Sequence, residues 1–207
     1  MPRTRIKICG ITREEDLASV VQCGADALGL VFYPPSPRYL DAGRATRLAR
    51  RVPPFVTLVG LFVNENAAVV RRIVDAVPLQ LLQFHGEEDA AYCAQFGLPY
   101  IKAARVRPGL DLLEYAALFP DARGLLLDAH VDSYGGAGQT FDWGLIPQGL
   151  SLPLILSGGL HAGNVVAAIK TVRPWAVDVS SGVEVAGGVK DGQKIAEFVA
   201  RVRSADA

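Results

Sequence analysis

The stretch Val177-Asp178-Val179-Ser180-Ser181-Gly182-Val183-Glu184, read with the earlier Leu156-Ser157-Gly158-Gly159-Leu160, decides how this chain folds. In each, an apolar run reaches serine and glycine just before a helix-forming segment. Each should therefore end a buried strand and leave backbone N–H groups unpaired near a helix start, an arrangement that holds an anion. Two such loops, late in a chain of alternating strands and helices, match the place where barrels of eight strand-helix units carry a phosphate group. The expected ligand is a phosphorylated small molecule.

The same alternation runs upstream. Arg5-Ile6-Lys7-Ile8 reads as a short strand, and Thr12 followed by Glu15 reads as a capping box opening a helix over 13–23, stopped by Gly24. Ala27-Leu28-Gly29-Leu30-Val31-Phe32 is a continuous apolar run, as expected of a parallel strand covered on both faces. The segment 33–39 carries Pro34, Pro35 and Pro37, which remove donors and bias their predecessors towards extended backbone, so it reads as a stiff loop. Further strands are expected over 55–63, 79–84, 100–104, 124–128, 153–156 and 175–179. Helices fall over 42–51, 67–76 (capped from Asn64-Glu65-Asn66), 88–96, 110–118, 164–172 and 191–202. The glycine-rich loop 129–143 leaves room only for a short helix near 145–148. The expected class is α/β: a single (β/α)8 TIM barrel formed by residues 1–207 as one domain, with a shortened or irregular sixth helix.

Composition narrows the function. The chain has 207 residues, half of them hydrophobic, enough for a large core. Lys+Arg 21 against Asp+Glu 21 gives zero formal net charge, which argues against nucleic acid or an anionic membrane as partner. No apolar run approaches the ~18 residues needed to span a bilayer, and three cysteines form neither an even disulfide framework nor a metal cluster, so a cytoplasmic location is expected. Neither a G-x-G-x-x-G after the first strand nor a P-loop is present, and no cofactor is expected. Oligomeric state stays open between monomer and homodimer.

In such a barrel the carboxyl ends of the strands converge on one face, where Cys9, Arg38, Asn64, His85, Lys102, Asp128, Ser157 and Asp178 fall. Cys9, after an apolar strand and before Gly10, is a candidate base or nucleophile whose thiolate helix N-termini could favour; the alternative is a small apolar residue, as for Cys23 and Cys93. Asp128 brings a carboxyl out of the apolar run 124–127 and is a candidate acid, or else an anchor for the loop behind it. Arg38, on the proline-stiffened loop, offers a planar partner for a carboxylate, or is a surface arginine. His85 could bind a polar substrate group or cap local backbone. His130 and His161 lack metal-ligand spacing, and no metal site is expected.

Eight motifs in order resemble one family, the phosphoribosylanthranilate isomerases of tryptophan biosynthesis. They are Lys7-Ile8-Cys9-Gly10; Gly29-Leu30-Val31-Phe32 with Ser36-Pro37-Arg38; Val59-Gly60-Leu61-Phe62-Val63-Asn64; Gln83-Phe84-His85-Gly86; Leu127-Asp128; Thr140-Phe141-Asp142-Trp143; and the two loops quoted at the outset. The resemblance implies an Amadori rearrangement, with Asp128 as acid at the ribose ring oxygen and Cys9 as base at C2. It further implies that Arg38 holds the anthranilate carboxylate, that Asp178 contacts the anthranilate side, and that Gly158, Gly159, Ser180, Ser181 and Gly182 hold the phosphate. The chain departs from the family pattern at Ala137 and Gln139, where threonine and lysine are common, which bears on closure of that loop. Two alternatives stay open: another phosphosugar aldose-ketose isomerase on the same barrel, against which Cys9 argues, and a non-catalytic phosphate-ligand sensor.

Overall fold

The computed structural model describes residues 3–129 and 140–206. Eight parallel strands close into a barrel in chain order: β1 (Arg5–Cys9), β2 (Ala27–Val31), β3 (Thr57–Phe62), β4 (Leu81–Phe84), β5 (Tyr100–Val106), β6 (Leu125–Ala129), β7 (Leu154–Leu156) and β8 (Ala176–Val179). The seam pairs Lys7 with Asp178 and Ile8 with Val179, so residues from opposite ends of the chain become neighbours. Among the described residues seven helices follow in order, α1 (Glu14–Gln22), α2 (Ala42–Ala49), α3 (Ala67–Ala76), α4 (Ala90–Ala94), α5 (Leu112–Ala117), α6 (Val165–Val172) and α7 (Gly192–Asp206). Between β6 and β7 the described residues hold only a 3-10 turn, Trp143–Leu145, in place of a full helix, as the loop length requires. The glycine-rich segment carrying His130, Ala137 and Gln139 lies outside the described residues.

The two-residue period of each strand sorts side chains between two layers. Ile6 and Ile8 of β1 pack outward with Leu17, Val20 and Phe198 of the helices, in the large core between sheet and helices. Cys9 packs inward with Val31, Leu61 and Val63. A lower interior layer of Ile101, Ala103, Leu126, Ile155 and Ala176 fills the barrel, so the polar residues above it stand on a packed floor rather than over a pore.

Three local expectations change. Thr12 does not cap α1: its hydroxyl donates to the Gly188 carbonyl (2.5 Å), and the cap position is Arg13, with no side-chain cap. Helix α4 begins at Ala90 rather than near Glu88, because Glu88 accepts from the backbone N–H of Asn64 (2.7 Å) and Gly86 (2.8 Å) and pairs with Lys102 (3.3 Å). Lys102 therefore points to the helix side of the sheet, not into the mouth. After β8 the chain makes a 3-10 turn, Ser181–Val183, and then a hairpin, β9 (Glu184–Ala186) and β10 (Val189–Lys190), before α7. Asp16 of α1 pins this hairpin by accepting from Lys190 N–H (3.1 Å). At its turn Gly188 has φ +79°, and a Cβ there would sit 2.8 Å from the Pro37 carbonyl oxygen, so the hairpin lies directly on the proline loop. Asn66 caps α3 as expected, accepting from Ala68 N–H (2.9 Å).

Candidate active site

The carboxyl ends of β1, β4, β6, β7 and β8 bring together most of the residues singled out from the sequence. On the β4–β6 side, His85 Nε2 lies 3.1 Å from Asp128 Oδ2, and Asp128 Oδ1 accepts from Ala129 N–H (2.9 Å). The other ring nitrogen, Nδ1, lies 2.9 Å from the amide nitrogen of Gln83, which is fully buried and shares the inward face of β4. An amide N–H donates, so Nδ1 accepts and the ring proton sits on Nε2, facing Asp128. Asp128 is thus oriented by two donors, and an aspartate that ends an apolar strand reaches the mouth only partly exposed. Gln83 escaped the sequence reading; its signal was a polar residue two positions before His85 inside a buried strand.

Cys9 ends β1 and is buried. Two residues earlier, on the same face, Lys7 donates to Asp178 Oδ1 (2.9 Å), with both side chains about 6% exposed. Burial would strip the Lys7 proton, but the Asp178 charge and then Cys9 hold it, and the net direction is upward. Burial pushes the Cys9 thiol up; Lys7 and Lys190 pull it down, Asp178 opposes them, and the net direction is again upward. The groups that draw the thiol towards thiolate are two ammonium side chains, and they do not fully offset the loss of water, so the net direction runs against the expectation of a favoured thiolate. Room for thiol and ammonium comes from Gly29, paired with Cys9 on β2; a Cβ there would lie 2.8 Å from Cys9 Sγ and 3.3 Å from Lys7 Nζ.

Arg38 is neither free nor at the surface. It is buried, with Nε and one terminal nitrogen donating to the two oxygens of Glu184 (2.9 and 2.7 Å), while its other terminal nitrogen finds no acceptor among the described residues. Its side chain crosses Gly10, where a Cβ would meet Arg38 Cδ at 2.4 Å and Ser180 Oγ at 3.2 Å, so the arginine, the end of β1 and the β8 loop are in contact.

The two glycine loops also touch. Gly158 and Gly159 have φ +83° and +60°, and a Cβ on Gly182 would lie 2.0 Å from the Leu160 carbonyl oxygen. The backbone N–H groups of Gly159, Ser181 and Gly182 have no acceptor among the described residues, as an anion site requires. Ser180 Oγ is turned to the Cys9 carbonyl (3.0 Å), which ties this loop to the end of β1. Asn64 Oδ1 accepts from Glu87 N–H (2.7 Å) and Ser157 N–H donates to the Leu127 carbonyl (2.8 Å), while His161 is exposed and accepts from Gly163 N–H (3.1 Å). No group of metal-ligating side chains occurs among the described residues.

Comparison with known proteins agrees with this geometry. Residues 6–201 match the family model described as N-(5'phosphoribosyl)anthranilate (PRA) isomerase. An N-(5'-phosphoribosyl)anthranilate isomerase from Dechloromonas aromatica is 64% identical over 204 residues, covering 99% of this chain and 98% of that protein. The crystal structure of phosphoribosyl anthranilate isomerase from Thermotoga maritima superposes with a TM-score of 0.89 at 43% identity, covering 97% of this chain and 99% of that one. Another phosphoribosyl anthranilate isomerase, solved in complex with reduced 1-(o-carboxyphenylamino)-1-deoxyribulose 5-phosphate, superposes with a TM-score of 0.82 at 39% identity, covering 97% and 99%. The chain belongs to the N-(5'-phosphoribosyl)anthranilate isomerase family, the aldose-ketose isomerases of tryptophan biosynthesis.

Proposed function

We propose that Cys9 is the base and Asp128 the acid with which this chain, as one barrel domain over residues 1–207, isomerises N-(5-phosphoribosyl)anthranilate. Asp128 protonates the furanose oxygen as the C1–O bond breaks, and the anthranilate nitrogen closes an imine to C1. The resulting cation acidifies the C2–H bond, so a thiolate of modest basicity suffices to take that proton at Cys9. The C2 electron pair forms the C1–C2 double bond of an enolamine, which becomes the ketone as C1 gains a proton and the C2 hydroxyl loses one.

Binding groups surround that axis. Arg38 takes the anthranilate carboxylate, Asp178 and His85 contact the anthranilate and ribose, and the N–H groups around Gly158, Gly159, Ser180, Ser181 and Gly182 take the phosphate, which orients rather than reacts. A related isomerase solved with the reduced, phosphorylated product supports this assignment of ligand class. The observation that carries the reading is the convergence at one mouth of the β1 thiol, the hydrogen-bonded His85–Asp128 pair and the unpaired N–H groups of the β7 and β8 loops. Three unpaired cysteines and a biosynthetic reaction on a soluble metabolite support a cytoplasmic location.

The test follows anthranilate-type fluorescence during turnover of phosphoribosylanthranilate. Wild type should consume the substrate; Cys9→Ala and Asp128→Ala should each lose far more kcat than affinity for a product analogue, whereas Arg38→Ala should mainly raise KM. Full activity in either of the first two variants removes that residue from the mechanism.

A further inference from the structure

Behind Arg38 lies a second buried cation that the sequence reading passed over. Lys190, from β10, donates to the Cys9 carbonyl (2.5 Å), to Glu184 Oε1 (2.8 Å) and to the Ser180 carbonyl (3.1 Å), with Ser180 Oγ slightly farther at 3.3 Å. Three close acceptors match the three hydrogens of an ammonium; a neutral amine has two, and its lone pair would face an oxygen. Lys190 is therefore charged in place, although burial draws its proton affinity downward against the pull of Glu184. Burial alone would raise the Glu184 carboxyl, but the hydrogen bonds from Arg38 and the charge of Lys190 overcome it and hold the group below the usual carboxylate range.

With Cys9 as the neutral thiol, this buried cluster holds two cations, Arg38 and Lys190, against one anion, Glu184; only as the thiolate does Cys9 add a second anion acting on both cations. An isolated buried Arg–Glu pair would be self-neutral, and its glutamate would repel a second carboxylate brought to the same guanidinium. The unmatched charge in the cluster, together with the Arg38 terminal nitrogen that has no acceptor among the described residues, marks a site built for one more anionic oxygen pair.

We infer that Glu184 and Lys190 are positioning residues for the carboxylate of the substrate: Glu184 aims the Arg38 guanidinium, and Lys190 cancels the glutamate so that one net positive charge remains for the ligand. The inference rests on the reading of Arg38 as the carboxylate partner. Lys190 also joins this receptor to the two other parts of the site, since the carbonyls that it grips belong to the residue bearing the thiol and to the first residue of the β8 phosphate loop. One side chain thus couples the three regions that an elongated phosphorylated arylamine must contact together.

The experiment compares dissociation constants of two probes, the reduced product 1-(2-carboxyphenylamino)-1-deoxyribitol 5-phosphate and the same compound lacking the carboxyl group. Wild type should prefer the first. Lys190→Met leaves a self-neutral pair and should cut that preference on the order of 30-fold, over and above any loss that both probes share through the phosphate loop. Lys190→Gln, which keeps a donor for the carbonyls but no charge, should do the same if the methionine variant folds poorly. The deciding variant is the double one, Glu184→Gln with Lys190→Met: it has lost every Lys190 bond yet restores the net charge, and should recover most of the preference. A double variant no better than Lys190→Met, or equal weakening of both probes in the single variants, overturns the inference and leaves the hairpin a structural strut. Absence of any preference in wild type would instead overturn the role of Arg38 itself.

Discussion

His85 stands between Gln83 and Asp128, 2.9 Å from the amide nitrogen of one and 3.1 Å from a carboxylate oxygen of the other. With the amide nitrogen facing Nδ1 the imidazole proton sits on Nε2, and the buried Oε1 of Gln83, which has no partner among the described residues, allows a second arrangement. Turning the amide over would give Nδ1–H an acceptor and leave Nε2 to accept from a protonated Asp128. One proton could then be held by either member of the pair as the acid is consumed and restored. Removing the amide should therefore slow the reaction and, because His85 also contacts the substrate, loosen binding somewhat. We expect Gln83→Leu to lower kcat on the order of tenfold, with a smaller rise in KM. Steady-state kinetics check it, and an unchanged kcat would reduce Gln83 to packing.

Lys7 and Asp178 form a buried pair beside the thiol, so removing the lysine should be felt twice. Lys7→Met leaves the Asp178 carboxylate uncompensated and should cost about 3–5 kcal/mol of stability, read by urea unfolding. The sign for activity follows from the thiol. The thiolate is the base, and its fraction rises as pH rises through the Cys9 pKa; burial already raises that pKa and Lys7 is the strongest opposing influence. Without Lys7 the rise of kcat/KM with pH should move further to the alkaline side. Adding Asp178→Asn should return much of the stability while leaving the rise more alkaline than in wild type, because Lys7 acts on the thiol more strongly than Asp178 does. An identical pH profile in wild type and Lys7→Met would disprove a thiolate base.

Gly29 isolates sterics from charge. Its φ does not lie in the left-handed region, so alanine suits the backbone, but the added methyl would stand 2.8 Å from Cys9 Sγ and 3.2 Å from Cys9 Cα. The thiol must rotate or β1 must shift. Gly29→Ala should lose on the order of a hundredfold in kcat/KM, as expected when a reacting group is displaced by about an ångström. Its loss of stability should be only the ~1–3 kcal/mol of an overpacked core. A variant destabilised to that degree yet fully active would mean that the position of the thiol is not critical.

How far the sequence reveals this site depends on sequence distance. Strand order, the glycine loops, Cys9 and Asp128 are legible because each is written in a local pattern, an apolar run ending in a polar or glycine residue. The partners are not. Lys7 reads as an ordinary strand lysine until barrel closure sets it against Asp178, 171 positions on, and Arg38 reads as a loop arginine because Glu184 is 146 positions away. The hairpin holding Glu184 and Lys190 did leave a trace, Gly187-Gly188 between two short extended runs, a two-residue hairpin signal that the nearby helix obscures. Thr12 shows the converse: a valid capping pattern loses to a tertiary acceptor, the Gly188 carbonyl, that no local reading supplies.

The contact between the two glycine loops gives the remaining prediction. Gly182 lies against the Leu160 carbonyl, and a Cβ placed there would be 2.0 Å from that oxygen, with backbone on both sides unable to yield as a side chain would. Gly182→Ala must therefore push the β8 loop away from the β7 loop, and the unpaired N–H groups of Gly159, Ser181 and Gly182 can no longer face one phosphate together. Because the phosphate binds and orients but does not react, the loss should appear mainly in KM and in the dissociation constant of inorganic phosphate, each rising at least about tenfold, or about 1.4 kcal/mol. A control separates this from backbone strain. Gly24 has φ +76° and nothing within 4 Å of where an added methyl would stand, so Gly24→Ala should cost about 1 kcal/mol of stability through its left-handed backbone, with KM unchanged. If both variants lose the same stability and neither alters phosphate binding, the anion does not sit between these loops.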